Sequence, residues 1–257
     1  MSMTFVVAGF AVGLLVGMTG VGGGSLMTPL LTLLFGVSPS VAVGTDLAFA
    51  SITKGFGTIT HRLNGTVQWY IVRRLCLGAL PAAFLATLAL NYFGAIDKHM
   101  GQVIRYSIAV SVLLTVVALL FRGKMLAWIA AHPERQLQGR ALAVATVVSG
   151  AVLGVLVTVS SIGAGAIGAT LLVMLYPRLT AAEVAGTDIA YAVPLTAIAA
   201  VGHWWLGSID WMLLVTLLLG SVPGITLGSW MARAVPERFL RGLLATTLTG
   251  VAAKLVF

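Results

Sequence analysis

Apolar residues run through this chain in continuous stretches of about 20, the length that crosses a bilayer as a helix. They lack the apolar–polar alternation of barrel strands. The first stretch, residues 4–36, is too long for one ordinary span. The sequence TGVGGGS, Thr19 to Ser25, interrupts it near its middle. Helices at 39–60, 67–92 and 101–122 are predicted to follow. The series then recurs as 141–177, 181–204, 210–233 and 237–257, with SSIGAGA, Ser160 to Ala166, breaking its first member. Glycine runs weaken a helix and permit a sharp reversal. Each broken stretch therefore reads as a helical hairpin with both ends on one face, or as one tilted helix.

The recurrence is one of residues as well as pattern. Positions 41–81 align with 183–223 at a constant offset, and twelve of the 41 are identical. They include Gly44-Thr45-Asp46 with Gly186-Thr187-Asp188, His61 with His203, Trp69 with Trp211 and Pro81 with Pro223. Gly13, Gly22 and Gly24 match Gly154, Gly163 and Gly165. Apolar sequence gives chance identities among Leu, Ala and Val, not Asp, His, Trp and Pro in one register. An internal duplication is the expectation. It divides the chain into a first transmembrane repeat (1–122), a polar cytoplasmic linker (123–140) and a second transmembrane repeat (141–257).

Basic residues choose between hairpin and single span. With hairpins, Arg62, Arg73, Arg74, Arg122, Lys124, Arg135, Arg140, Arg178, Arg233, Arg238 and Arg241 share one face, against Lys98, Arg105 and Lys254 on the other. With single spans the distribution is nearly even. Inserted membrane proteins carry their Lys and Arg excess on the cytoplasmic side, so the hairpin is preferred. A hairpin plus three spans is an odd number of crossings, which inverts the second copy. The predicted fold is an all-α polytopic membrane protein of two inverted-topology repeats, each a broken helical hairpin plus three transmembrane helices. Counting hairpin legs of about 15 residues gives ten helices, with both termini outside. Such architectures bind substrate near the midplane, where the repeats meet.

Composition agrees with this reading. The chain is 59% hydrophobic and 9% charged, against about 25% charged in soluble domains. Its formal net charge of +8 is explained by topology, not by nucleic acid. Cys76 is the single cysteine, which excludes an internal disulfide framework and a cysteine metal cluster. Met1 to Gly20 lacks a basic flank and a cleavage site and is expected to belong to the mature chain. A bacterial inner-membrane, multi-pass location follows. No cofactor or metal site is expected.

Candidate chemistry sits where polar groups enter the apolar runs. A helix that begins inside the membrane presents free N–H groups and a partial positive charge, and so binds anions. Gly22, Gly23, Gly24 and Ser25 in one break, and Gly163 and Gly165 in the other, are candidate substrate-binding positions. Close helix packing through small residues is the competing reading. Thr45 and Thr187 adjoin Asp46 and Asp188, which lie about two turns inside the bilayer. Either Asp is placed to carry a proton or to coordinate sodium. The alternative is that each bonds nearby backbone N–H groups. Lys54 has Thr196 as its counterpart. It is expected to pair with an acid, Asp188 before Asp46, or to attract the anion. His61 and His203 end equivalent helices on opposite faces, as interfacial anchors or solvated gates.

The sequence from Gly20 to Ser25, followed by Pro29 and by Ala42-Val43-Gly44-Thr45, resembles the sulfite exporter TauE/SafE family. Val184-Ala185-Gly186-Thr187 and Gly220 with Pro223 extend the resemblance over both halves, with Ala164 a departure from the glycine triplet. The resemblance implies transport of sulfite, organosulfonates or related anions, often outward. The expected function is a secondary transporter working by alternating access, coupled to a proton or sodium gradient. A passive anion channel and an intramembrane enzyme are the alternatives. No zinc His-Glu-x-x-His motif or nucleophile elbow is present, so an enzyme is not expected. The partners implied are the small anion, the coupling ion and the lipid bilayer. The sequence leaves open which anion, and whether the chain forms a homo-oligomer.

Overall fold

A computed structural model describes residues 3–19, 24–94, 100–132, 134 and 136–231. The described residues form helices α1 (Met3–Thr19), α2 (Gly24–Leu33), α3 (Pro39–Leu63), α4 (Trp69–Gly94) and α5 (Met100–Ala131). Then come α6 (Gly139–Ser160), α7 (Ala166–Leu175), α8 (Ala181–Trp205) and α9 (Trp211–Met231). The segment expected to form the last helix, 237–257, lies outside the described residues. So do Lys98, Arg135, Arg233, Arg238, Arg241 and Lys254 of the charge argument.

Four helices, α4, α5, α6 and α8, contain windows long and apolar enough to cross a membrane. Helix α3 equals α8 in length but carries Asp46, Lys54, His61 and four threonines. It is buried along its first half, so Thr45, Asp46, Thr53 and Lys54 face protein. Helix starts follow local chemistry. Pro39 opens α3 behind Ser38, without a side-chain capping bond. Thr180 and Glu183 close a capping box on α8. That box satisfies two N–H groups that a helix start would otherwise leave open.

Both interrupted stretches fold back. The Phe5 ring, near the start of α1, packs 4.8 Å from the ring of Phe35, just after α2. In the second half the Thr146 hydroxyl, near the start of α6, bonds the Tyr176 hydroxyl at the end of α7 (2.8 Å). The ends of each stretch thus meet. The legs are unequal, 17 and 10 residues in one case and 22 and 10 in the other, where equal legs were expected.

The two halves interlock by reciprocal contacts. The Asp210 N–H ahead of α9 donates to the Thr45 hydroxyl oxygen, and the Gln68 N–H ahead of α4 donates to that of Thr187, both at 3.1 Å. A Cβ on Gly44 would strike the Ser208 carbonyl, and one on Gly186 would strike that of Thr66. Along α4 and α6, Gly78 lies on the Val147 carbonyl; along α9 and α1, Gly220 lies on that of Val6. In each pair the partners exchange positions in the repeat alignment. The start of α3 lies at the end of α8, and the start of α8 at the end of α3, so these equivalent helices run antiparallel.

The linker differs from expectation. Helix α5 continues to Ala131, through half of the stretch 123–140. The residues after Arg122 are mostly good helix formers, and no proline occurs before Pro133.

Candidate functional site

The second break is the centre to which the ionisable residues converge. Helix α6 ends at Ser160, and Ser161 caps it in the left-handed conformation (φ 58°). Among the described residues it is the one non-glycine with positive φ. Gly163 (φ 127°) and Gly165 (φ 138°) follow, in backbone regions that only glycine enters at low cost. These glycines let five residues connect the end of α6 to α7 without a wide loop. The Gly168 N–H closes back onto the Gly163 carbonyl (3.0 Å), and that of Ala169 onto Gly165 (2.7 Å).

Three charged side chains from two other helices address this break in order along it. Asp46 of α3 lies where the Ser161 hydroxyl acts on its carboxylate, without a closed hydrogen bond from Ser161. Lys54, two turns further along α3, donates from Nζ to the Ala164 carbonyl (3.1 Å). Asp188 of α8 lies against the Gly165 N–H and so close to Gly168 that a Cβ there would meet Oδ1. The Lys54 charge acts first with Asp188 and then with Asp46. All three side chains are buried, at 0%, 3% and 1% exposure for Asp46, Lys54 and Asp188. In so dry a place each charge depends on its few partners.

The two carboxylates are held differently. Asp46 Oδ2 accepts a 2.5 Å hydrogen bond from the Thr28 hydroxyl of α2. Both oxygens of Asp188 lack a hydrogen-bond partner, as do Asp46 Oδ1, the Ser161 hydroxyl and the Tyr191 hydroxyl. Tyr191 stands one turn after Asp188 and also faces Gly168. The Arg122 charge of α5 also reaches Asp188.

Other expected positions fall elsewhere. The hydroxyls of Thr45 and Thr187 are used as acceptors for the starts of α9 and α4. The Lys54 ammonium bonds a carbonyl, where an acid partner was expected. His61 Nδ1 bonds the Thr66 hydroxyl (2.8 Å) at the end of α3. His203 is 1% exposed and bonds the Thr158 carbonyl through Nε2 (2.9 Å), so it is no solvated group. The two histidines share no ligand position. Gly22 and Gly23 lie outside the described residues. Gly24 and Ser25 begin α2. Thr28 and Tyr191 are not among the positions picked from sequence.

The family model for the sulfite exporter TauE/SafE matches residues 5–255, both halves together. The chain belongs to that family. It is similar to the probable membrane transporter protein YjnA of Bacillus subtilis (strain 168), at 38% identity over 261 residues and all of both chains. It is also similar to the probable membrane transporter protein YdhB of the same organism, at 27% identity over 250 residues. That match covers 95% of this chain and 96% of the relative. No solved structure matches. As a member of the TauE/SafE family with several membrane-crossing helices, the chain is a multi-pass membrane transporter.

Proposed function

We propose that this transporter is a secondary carrier that exports a small sulfur-containing anion, sulfite, an organosulfonate or a relative. It works by alternating access between two inverted repeats. The observation that carries the reading is the convergence of Asp46, Lys54 and Asp188 on the break at 161–165. The N–H groups of Gly168 and Ala169 are taken by the Gly163 and Gly165 carbonyls, so it is those of Ala166 and Ile167, in the first turn of α7, that offer an oxyanion a partial positive charge. An oxyanion there would also face Asp46 and Asp188 against the one Lys54 ammonium, a net negative charge that repels it in a medium of low dielectric. A proton or sodium ion entering with it removes that repulsion. Coupling follows from the charge count of the site. The antiparallel course of α3 and α8 supports the inverted arrangement, and the rocking of one half against the other is its natural motion.

The test is flux of labelled sulfite, sulfate, taurine and sulfoacetate in proteoliposomes, with and without proton and sodium gradients. Accumulation against the anion gradient is expected and separates a carrier from a channel. Asp46→Asn and Asp188→Asn are each expected to reduce gradient-driven flux while the purified protein stays monodisperse. Wild-type driven flux in both variants would remove the carboxylates from the mechanism.

A further inference from the structure

We infer that Lys54 is a tethered cation standing where a free sodium ion would otherwise sit, and that it makes the carrier indifferent to sodium. This rests on the carrier reading for its place in transport, but not for its binding test.

The ammonium of Lys54 donates to Ala164, a carbonyl of unwound backbone. Carbonyls freed by broken helices, together with carboxylates, are the ligands that hold sodium in carriers of this architecture. Asp188 acts on the Lys54 charge from α8 and Asp46 acts from further along α3, and both Asp188 oxygens lack hydrogen-bond partners. A hard cation needs such oxygen ligands, and here the Lys54 ammonium already takes the Ala164 carbonyl and supplies the positive charge on which both carboxylates act. The Arg122 charge of α5 acts on Asp188 as well.

The repeat supplies a comparison inside one chain. Thr196 stands in α8 where Lys54 stands in α3. Its hydroxyl is turned back onto its own helix, to the Ala192 carbonyl at 2.8 Å. Duplication therefore offers the neutral residue that this position accepts without loss of the helix. A salt-bridge role alone does not account for Lys54, because its hydrogen bond is to a carbonyl. An anion-binding role does not require that carbonyl either, since an ammonium held for an anion gains nothing from a competing acceptor.

The test compares wild type with Lys54→Thr, which copies the other half, and with Lys54→Met, which keeps the length of the side chain without its charge. Flux of the transported anion is measured in sodium and in potassium media of equal ionic strength. Thermal unfolding of detergent-purified protein is followed in both salts. Wild-type flux and Tm are expected to be the same in both. Lys54→Thr is expected to lose flux in potassium and regain about tenfold in sodium, a size typical of coupling between two ligands. Both variants are expected to gain Tm from sodium, since a ligand bound by the folded state alone raises stability.

Sodium dependence of the wild type overturns the inference. So does the absence of any sodium response in both variants. A variant whose KM for the anion rises equally in both salts assigns Lys54 to the anion and overturns it too. A wild type that moves no anion would overturn the carrier reading, while the unfolding comparison would still decide the role of Lys54.

Discussion

Two carboxylates from equivalent positions end up in unequal surroundings, and one difference is a hydroxyl. Thr28 donates to Asp46, whereas Asp188 has no such donor. Removing a partner from a buried carboxylate exposes the full cost of its desolvation, about 1–3 kcal/mol. Thr28→Val keeps the shape of the side chain and deletes the donor, so it is expected to destabilise the protein by about that amount. Ser161→Ala removes a buried hydroxyl that lacks a partner, and its cost is expected to be under about 1 kcal/mol. Chemical unfolding of the two purified variants side by side measures the contrast. Equal losses would mean that the Ser161 hydroxyl is as firmly bonded as that of Thr28. Such residues show how far a sequence can be read. Asp46, Lys54 and Asp188 stand out because charge is rare in apolar runs. Thr28 does not, because membrane threonines often bond their own helix, as Thr115, Thr146 and Thr170 do here. Tyr191 is hidden by its counterpart Phe49, which suggests an apolar face.

At the scale of elements, the halves are joined where helices approach closely enough for backbone to touch. Gly78 of α4 rests on the Val147 carbonyl of α6, and Gly220 of α9 rests on that of Val6 in α1. Lipid tails are as apolar as Leu, so close packing rather than hydrophobic burial holds such helices together. Gly78→Ala places a methyl group onto main chain that has no rotamer to yield. It is expected to cost roughly 1–3 kcal/mol. Gly55→Ala in α3 meets nothing within 4 Å and is expected to gain up to about 1 kcal/mol from helix propensity. Thermal unfolding of both variants checks the pair. The same stability for each would mean that α4 and α6 part readily. These contacts account for what the sequence reading left out. Periodicity and glycine runs announce where a helix breaks, and Phe5 against Phe35 meets the expectation that the first stretch returns. Nothing in a glycine tells which neighbour it touches. The linker was misjudged because residues 123–131 are separated from the preceding helix by charge, not by a helix-breaking residue, and α5 runs through them.

For the whole molecule the decisive quantity is the sidedness of equivalent positions. Phe5 and Phe35 meet, and Thr45 meets the turn before α9. The starts of α1, α3 and α9 therefore share one side of the bundle. Thr187 meets the turn before α4, and Tyr176 meets Thr146 and packs against Tyr70. The starts of α4, α6 and α8 share the other side, which also carries Arg62, Arg73, Arg74, Arg140 and Arg178. By the excess of basic residues on cytoplasmic segments, that second side is expected to face the cytoplasm. Leu34 and Leu206 then lie outside, and Asn64 and Pro177 inside. Single cysteines at these four positions, in a Cys76→Ala background, are expected to divide accordingly. A membrane-impermeant thiol reagent should label Leu34→Cys and Leu206→Cys in intact cells, and Asn64→Cys and Pro177→Cys only after permeabilisation. Asn64 and Leu206 occupy the same place in the repeat, so their separation tests the inversion itself. Labelling of both from one side would make the halves parallel. The carboxylates would then enter from one face, and the break at 161–165 would serve one entrance rather than two.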